Sequence, residues 1–386
     1  MKKYNKVFND DGTYSIIIND GVTEIPDSAF KNDKSLTSVI IPDSVKTIGK
    51  SAFENCTGLS SINIPDTVEN VGKYAFYGCS GLIEINIPDI LFSISGIFSD
   101  YYNLYYINGI DIRNDITSDM IPKTINTLGD IFSQTSITSI EIPSNITSIG
   151  KNAFYDCNYI THIEIPNTFF STLYDSIYTN CPKLHYVNNI DVTGYITSDI
   201  IPSDITTLGA IFAGTNITGI DIPSNITNIG DGAFEGCVEL VSINIPNTIE
   251  SIGEFAFYNC CKLDSINIPY SVKTIDKWAF AYCEALKSLN ITDSVIEIEK
   301  CAFAYCRSLE SITIPDSITN IDNCAFSSCS SLKSISIPDS VKHIGKNTFL
   351  HCNNLESVTM PKHFKEEIDA IFKYCNKLNK KNIIFT

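Results

Sequence analysis

Cysteine is the residue type whose spacing in this sequence first suggests chemistry. Eleven of the 14 cysteines lie three positions after one of a series of regularly spaced aromatic residues: Cys56, Cys79, Cys157, Cys181, Cys237, Cys260, Cys283, Cys306, Cys329, Cys352 and Cys375. Thiolates bind zinc, form disulfides or act as nucleophiles. Thr135 and Thr215 occupy the same position in two other places, which a ligand or nucleophile position would not tolerate. The spacing therefore indicates small, buried, free thiols, with disulfides and a metal site as the alternatives.

The remaining candidate groups do not form a catalytic set. Cys261, Cys301 and Cys324 fall outside the regular series, and a C-x4-C spacing occurs twice, where the series already explains it. The five histidines are His162, His185, His343, His351 and His363, and they share no common position. A catalytic triad needs convergence that this pattern does not show, and no glycine-rich phosphate loop is present. We therefore predict no catalytic residues, no cofactor and no metal, and a protein that is not an enzyme.

Composition and charge narrow the class of partner. The chain has 386 residues, 44% of them hydrophobic, and a formal net charge of −17. Such a charge repels polyphosphate, so nucleic acid and anionic membranes are poor partners. No run of eighteen apolar residues occurs, and the first residues lack the apolar stretch of a secretion signal. These features predict a cytoplasmic protein without membrane insertion, with cell-surface export by an unconventional route as the alternative.

An internal repeat of 23 residues organises the sequence. One aromatic residue in each repeat, here called the repeat aromatic, marks the period: Phe30, Phe53, Phe76, Phe98, Phe132, Phe154, Tyr178, Phe212, Phe234, Phe257, Phe280, Phe303, Phe326, Phe349 and Phe372. Two steps are longer, from Phe98 to Phe132 and from Tyr178 to Phe212, and a shift of 80 residues superposes them. A block of three repeats was therefore duplicated. We predict that its extra segments, near residues 107–120 and 187–200, are extended excursions.

The pattern inside one repeat predicts a single coil of chain. Leu59, Ile62 and Ile64 alternate with polar residues, as in a strand with one buried face. Pro65 ends that strand because proline has no N–H for a ladder. Gly49 is predicted to adopt a backbone conformation denied to other residues. Stacked coils would pair their strands in parallel and bury the apolar face that no single repeat can bury alone.

These observations predict a β-rich solenoid of about fifteen coils, with short turns or 3-10 segments between its strands. Residues 1–20 are predicted to form a capping hairpin and the first strand, residues 21–376 the solenoid, and residues 377–386 a C-terminal cap.

The repeats resemble those of a known family. The units IPDSVKTIGKSAF, CTGLSSINIP and IPDSITNIDNCAFSSCSSLKSISIP are similar to the BspA-type leucine-rich repeats of bacterial and protist surface antigens. The resemblance covers nearly the whole chain, from about Tyr14 to Leu378. It implies a leucine-rich repeat array with its parallel sheet on the concave face. It also implies a role in adhesion and protein binding.

The predicted binding site lies in the middle of the chain. Outward strand positions are mostly Ser, Asn and Thr in the C-terminal half, whereas charged residues concentrate earlier, at Glu84, Glu141, His162, Glu164 and Asp221. Five tyrosines accompany the extra segments: Tyr101, Tyr102, Tyr105, Tyr106 and Tyr186. Tyrosine is enriched at interfaces. We therefore predict a scaffold that binds a protein partner, with a basic protein or a protein of the extracellular matrix as the expected kinds. The alternatives are tyrosines that pack on the solenoid and a surface adhesin that contacts host or matrix protein or glycan.

Overall fold

The computed structural model describes residues 3–98 and 103–386. The chain forms two compact units. The N-terminal unit comprises Met1–Pro166 and Ile177–Asn189, and the C-terminal unit comprises Asn167–Ser176 and Ile190–Thr386. Both are stacks of the same short coil. The predicted β-rich solenoid, with parallel sheets and few helices, is confirmed.

The N-terminal unit contains sixteen strands among its described residues. They are β1 (Tyr4–Phe8), β2 (Tyr14–Ile18), β3 (Glu24–Ile25), β4 (Leu36–Ile40), β5 (Thr47–Ile48), β6 (Ser61–Asn63), β7 (Asn70–Val71), β8 (Glu84–Asn86), β9 (Tyr106–Ile107), β10 (Ile110–Asp111), β11 (Asp115–Ile116), β12 (Thr127–Leu128), β13 (Ser139–Glu141), β14 (Ser148–Ile149), β15 (His162–Glu164) and β16 (Tyr186–Val187). Short 3-10 helices cover Asp89–Ser93 and Ser118–Met120.

Strand pairing in this unit follows the repeat. β1 and β2 form an antiparallel hairpin, and β2 pairs in parallel with β4. β6, β8 and β9 pair in parallel, as do β11, β13, β15 and β16. A second ladder on another side of the coils joins β3, β5 and β7, and also β12 and β14. Most coils therefore give one strand to each of two parallel ladders, whereas the 3-10 helix Asp89–Ser93 takes the place of the second strand in the coil after β8.

The C-terminal unit repeats this arrangement. Its strands are β17 (Ile190–Asp191), β18 (Tyr195–Ile196), β19 (Thr207–Leu208), β20 (Gly219–Asp221), β21 (Asn228–Ile229), β22 (Ser242–Asn244), β23 (Ser251–Ile252), β24 (Ser265–Asn267), β25 (Thr274–Ile275), β26 (Ser288–Asn290), β27 (Glu297–Ile298), β28 (Ser311–Thr313), β29 (Asn320–Ile321), β30 (Ser334–Ser336), β31 (His343–Ile344), β32 (Ser357–Met360) and β33 (Ile383–Phe385). Its helices are α1 (Phe169–Thr172) and α2 (Ile368–Ile371), with 3-10 helices at Ser198–Ile200, Ala210–Phe212, Lys362–Glu367 and Lys380–Asn382. The second ladder joins seven strands, β19, β21, β23, β25, β27, β29 and β31. No helix in the part of the chain that the structure describes could cross a membrane.

Stacked aromatic rings fill the centre of the coils. In the C-terminal unit the repeat phenylalanines from Phe212 to Phe372 stack in succession, with ring centroids 5.0–6.1 Å apart. Such offset pairs add to the free energy of burial. Backbone N–H groups of these phenylalanines donate hydrogen bonds to the next coil. The Phe257 N–H, for example, donates to the carbonyl of Ala279 at 2.7 Å. Each coil therefore contributes one ring to the stack and one backbone hydrogen bond to the next coil.

The regular cysteines complete this core. All eleven are buried, and all 14 cysteines are free thiols. Each of the eleven thiols donates a hydrogen bond to the carbonyl of the repeat aromatic one coil earlier, as Cys283 does to Phe257 at 3.3 Å. Thr135 and Thr215 instead bond the carbonyl of the repeat aromatic in their own coil, each at 2.6 Å. The position selects a small buried donor, which both residue types provide.

The glycine that follows the second-ladder strand in many coils, as at Gly49, is required by the close approach of the neighbouring coil rather than by its dihedral angles. The prediction that Gly49 needs a special backbone conformation is wrong, because its φ is not positive. A Cβ atom there would overlap the backbone nitrogen of Asp27 in the preceding coil. Left-handed φ values fall instead two residues before and two residues after the repeat aromatic, as at Ser51 (55°) and Asn55 (59°).

The duplicated extra segments differ from the predicted excursions. In the N-terminal unit Ile107, Ile112 and Ile116 are buried, and β9 and β11 pair with neighbouring coils. In the C-terminal unit Val192 and Ile196 are buried and β18 pairs with β20. A projecting loop would expose these apolar side chains to water, which is unfavourable. The segments therefore pack as parts of the solenoid.

Candidate binding surface

The outward side of the sheet in the N-terminal unit is the most chemically varied surface that the structure describes. Ser139, His162 and Tyr186 are partners in register on β13, β15 and β16. Glu141 and Glu164 are partners two residues further along. Because alternate side chains of a strand point to the same side, these residues share one face.

Beside this row lies a cluster of Arg113, Asp111, Tyr105 and Tyr106, here called the arginine clamp. The Arg113 guanidinium carbon lies 4.7 Å from the ring centroid of Tyr105 and 5.6 Å from that of Tyr106. Its Nε and Nη2 atoms donate to the two carboxylate oxygens of Asp111, at 2.8 Å and 2.6 Å. This pairing lowers the pKa of Asp111 to about 2. The two tyrosines are half-buried, so each side chain keeps part of its surface in contact with solvent.

The clamp is joined to the neighbouring strands by polar contacts. The Thr138 hydroxyl donates to the Arg113 carbonyl at 3.4 Å and to Asp115 at 3.3 Å. Ser139 also donates to the Asp115 carboxylate, at 2.6 Å. A cleft of about 680 Å³ opens here, lined by Asn103, Tyr105, Arg113, Gln134, Thr135, Ser136, Thr138, Asp156, Asn158 and Tyr159. Aromatic, cationic and amide groups therefore converge on one cleft.

A histidine and a tyrosine form a second aromatic element. The rings of His162 and Tyr186 stack with centroids 4.6 Å apart and planes 21° apart. Nδ1 of His162 is 2.8 Å from the Thr161 hydroxyl, which fixes the ring orientation. His185 approaches Tyr186 from another side, at 6.3 Å between centroids. The predicted residues His162 and Tyr186 therefore act as one unit.

Acidic residues form the other end of the same face. Glu141 and Glu164 line a cleft of about 570 Å³ together with Asp119, Lys123 and Asn145. Like charges directly opposite each other on paired strands are unfavourable. Glu141 and Glu164 are such a pair, and Lys123 is the cationic residue that lines the same cleft.

The other predicted site residues lie elsewhere. Glu84 is the register partner of Tyr106 and so lies near the arginine clamp. Asp221 belongs to the C-terminal unit, where it accepts a hydrogen bond from the Tyr195 hydroxyl at 2.8 Å. Tyr101 and Tyr102 lie outside the described residues. The structure thus brings Tyr105 and Tyr106 together at the clamp, His162 with Tyr186, and Glu141 with Glu164.

Sequence reasoning missed Arg113 and Tyr159. Arg113 is one of only two arginines in the chain, and arginine is enriched at interfaces, so its rarity was an available indication. Tyr159 belongs to the turn before a strand and its contribution to the cleft depends on packing. Within residues 3–98 and 103–386, no group of three or more His, Cys, Asp or Glu side chains could hold a metal ion.

Comparison with solved structures shows which proteins this chain is similar to. A leucine-rich repeat protein from Bacteroides ovatus is 27% identical, with 98% of each chain covered and a TM-score of 0.51. One from Eubacterium ventriosum is 23% identical, with 91% of this chain and 93% of that chain covered and a TM-score of 0.61. A leucine-rich cell surface protein from Faecalibacterium prausnitzii is 25% identical, with 100% and 94% covered and a TM-score of 0.44. No curated protein sequence matches the chain.

The repeats themselves match one family model in overlapping stretches. The model describes the BspA type leucine rich repeat region and matches residues 3–121, 113–206, 206–323 and 273–385. These stretches cover nearly the whole chain and agree with the 23-residue coil, the two parallel ladders and the buried core described above. The chain therefore belongs to the BspA-type leucine-rich repeat family.

Proposed function

We propose that this protein is a binding scaffold that recognises a protein partner through the sheet face of its N-terminal unit. The candidate surface consists of Tyr105, Tyr106, Arg113, Glu141, His162, Glu164 and Tyr186. One observation carries the proposal: Arg113 is held against the rings of Tyr105 and Tyr106 at a cleft of about 680 Å³ that Tyr105, Arg113 and Tyr159 line.

The composition of this surface supports a protein partner. Tyrosine and arginine are the residues in which binding energy concentrates at protein interfaces. Here Arg113 is held by Asp111 and His162 is stacked on Tyr186, so few rotamers remain to be frozen on binding. The two ladders also fix the strands that carry these residues. A preorganised aromatic surface of this kind favours affinity without a conformational change.

The acidic end of the surface supports a partner with a basic patch. Glu141 is exposed and Glu164 is half-buried, so their charges act mainly on the association rate and its salt dependence. The net charge of −17 adds long-range attraction for a basic protein. The aromatic residues would then determine how long the complex lasts.

The test is capture with the full-length protein as bait, followed by measurement of binding kinetics with the captured partner. The variant Tyr106→Ala/Tyr186→Ala should accelerate dissociation, and Glu141→Lys/Glu164→Lys should slow association and reduce its dependence on salt. Glu239→Lys/Glu310→Lys is the matched control, because it makes the same change in net charge at one half-buried and one exposed glutamate of the C-terminal unit. Equal binding by all variants would overturn the placement of the site. Failure of every bait to retain a defined protein would overturn protein binding.

A glycan ligand is the second candidate. The cleft lined by Tyr105 and Tyr159 also presents Asn103, Asn158 and Asp156, and an aromatic face beside amide and carboxylate groups suits a sugar ring and its hydroxyls. A surface adhesin would use the cleft in this way. Glycan arrays with wild type and Tyr159→Ala, together with labelling of intact source cells, distinguish it from a protein scaffold.

A further inference from the structure

Two cysteines outside the regular series occupy equivalent positions in adjacent coils of the C-terminal unit. Cys301 and Cys324 each lie two residues before a repeat aromatic, with left-handed φ values of 58° and 59°. The strands that precede them, β27 and β29, pair with Ile298 opposite Ile321. The Cys301 N–H also donates to the carbonyl of Asn323 at 3.0 Å. The two residues are therefore exact neighbours along the stack.

This register brings the two thiols together. Adjacent paired strands lie about 4.8 Å apart, which is within the range of Cα separations found in disulfides, roughly 4.4–6.8 Å. Equal backbone conformations direct the two side chains the same way, and Cys324 packs against the buried cluster that contains Cys301. Backbone hydrogen bonds already join these two coils, so a contact between the two cysteine side chains is not needed to keep the coils together.

Exposure distinguishes this pair from the regular cysteines. Cys306 and Cys329 have the same one-coil spacing, but both are completely buried and donate to phenylalanine carbonyls. Cys324 is half-buried at the surface, and Cys301 is 4% exposed directly beside it. Cys301 packs with Ala281 and Ala304, and Trp278 and Tyr305 cover this cluster. The pair thus combines a neighbouring thiol with access from solvent.

We propose that Cys301 and Cys324 are a modification site, at which a low-molecular-weight disulfide such as oxidised glutathione forms a reversible disulfide between two coils. The Cys324 thiolate attacks one sulfur of the oxidant and releases one glutathione thiolate. The Cys301 thiolate then attacks the Cys324 sulfur of this mixed disulfide and releases the second glutathione. Two electrons pass from the protein thiols to the oxidant, and their two protons end on the two glutathione thiols.

The different burial of the two thiols determines which of them attacks first. Burial raises the pKa of Cys301 to about 12, so this thiol stays protonated in water at neutral pH. Cys324 is the more accessible of the two and meets the oxidant first. The second attack is intramolecular between neighbours, which offsets the small thiolate fraction of Cys301 through its high effective concentration.

The experiment uses the full-length protein with oxidised glutathione, followed by alkylation of the remaining thiols and peptide mass spectrometry. We expect a cross-link between the peptides that carry Cys301 and Cys324, loss of both alkylation sites, and reversal by a dithiol reductant. Trp278 is the only tryptophan and covers the same cluster, so its fluorescence should fall as the disulfide forms. Cys306 and Cys329 are one control, because they have the same one-coil spacing but are buried from the oxidant. Cys261 is the other control, because it is half-buried like Cys324 but has no cysteine beside it in the adjacent coils.

Single variants show whether the geometry closes the bond. Cys301→Ser should leave Cys324 as a stable mixed disulfide with glutathione, and Cys324→Ser should leave Cys301 unmodified. Ser28 and Ser51 occupy the equivalent position in the N-terminal unit with φ of 55°, so serine fits this backbone. A wild-type protein that stops at the mixed disulfide would overturn the proposal. Equal cross-linking of Cys306 with Cys329 would also overturn it, because the reaction would then report opening of the coils.

Discussion

The phenylalanine stack of the C-terminal unit makes a quantitative prediction about how the coils hold together. Phe257 is completely buried, and its ring stacks on Phe234 at 5.2 Å and on Phe280 at 5.0 Å. Phe372 is the last repeat aromatic of the chain; it stacks on Phe349 at 5.2 Å and is 6% exposed. The substitutions Phe257→Ala and Phe372→Ala therefore compare a ring inside the stack with one at its end.

The expected magnitudes follow from burial and stacking. Replacing a buried phenylalanine by alanine costs about 3–5 kcal/mol of unfolding free energy, and more when the cavity cannot collapse. Around Phe257 the backbone hydrogen bonds from Phe234 to Ala256 and from Phe257 to Ala279 fix the coils on both sides. We therefore expect a loss of about 4–5 kcal/mol there. One stacked pair fewer is worth roughly 0.5–1.5 kcal/mol, so Phe372→Ala should cost about 3 kcal/mol.

Equilibrium unfolding in urea, followed by circular dichroism, measures both values in the full-length protein. The slope of the free energy against urea should be unchanged in both variants, since neither alters the surface exposed on unfolding. Phe257→Leu, which keeps most of the apolar volume, should recover a large part of the loss. If Phe257→Ala and Phe372→Ala cost the same, stacking adds nothing beyond burial, and the reasoning is refuted.

Three further predictions concern packing, thiols and charge. Gly345→Ala should lower the free energy of unfolding by about 1–3 kcal/mol, because the new Cβ atom would overlap the backbone nitrogen of Asn323. Gly194 has open space around it, so Gly194→Ala should change the free energy of unfolding by less than about 0.5 kcal/mol. Equal effects of the two substitutions in urea unfolding would contradict this. Maleimide should label only Cys261 and Cys324, the two cysteines that are not buried, in the native protein and all 14 after unfolding; mass spectrometry counts the labels, and rapid labelling of the regular series would show that it is not buried. Asp111, whose pKa is lowered to about 2 from 3.8 by hydrogen bonds from Arg113, should give a stabilising contribution that is present above pH 3.8 and lost as the pH falls through 2. Carboxylate titration by NMR should show this pKa rising in Arg113→Ala, and an unchanged value would exclude the ion pair as its cause.

The repeat made most of the fold predictable. The 23-residue period, the alternation of Leu59, Ile62 and Ile64, and the position of Pro65 are local properties of the chain, and they led to parallel strands in stacked coils. The regular cysteines were also predictable as buried free thiols, because their spacing matched the repeat rather than a ligand pattern. The role of Gly49 was not, since the clash that excludes a Cβ atom comes from Asp27 in the neighbouring coil.

The candidate site was predictable only in part. The composition of outward strand positions pointed to Glu141, His162 and Glu164, and the tyrosines that accompany the extra segments included Tyr186; whether these residues bind a partner stays a prediction. Their pairing as partners in register follows from the strand ladder, which the period already implies. The contribution of Arg113 depends on contacts with Asp111 and two tyrosine rings that the sequence does not encode in any period.

By itself, the sequence determined the coil, its strands and the residues that face its interior, because each depends on residues a few positions apart and repeats along the chain. The tertiary structure alone decided which side chains meet between coils. The register of neighbouring coils places Cys301 beside Cys324, and burial of Ile107, Ile112 and Ile116 draws the extra segment of the N-terminal unit into the solenoid. Such contacts join residues far apart in sequence, and the physical reason they form is the removal of apolar surface from water along the whole stack.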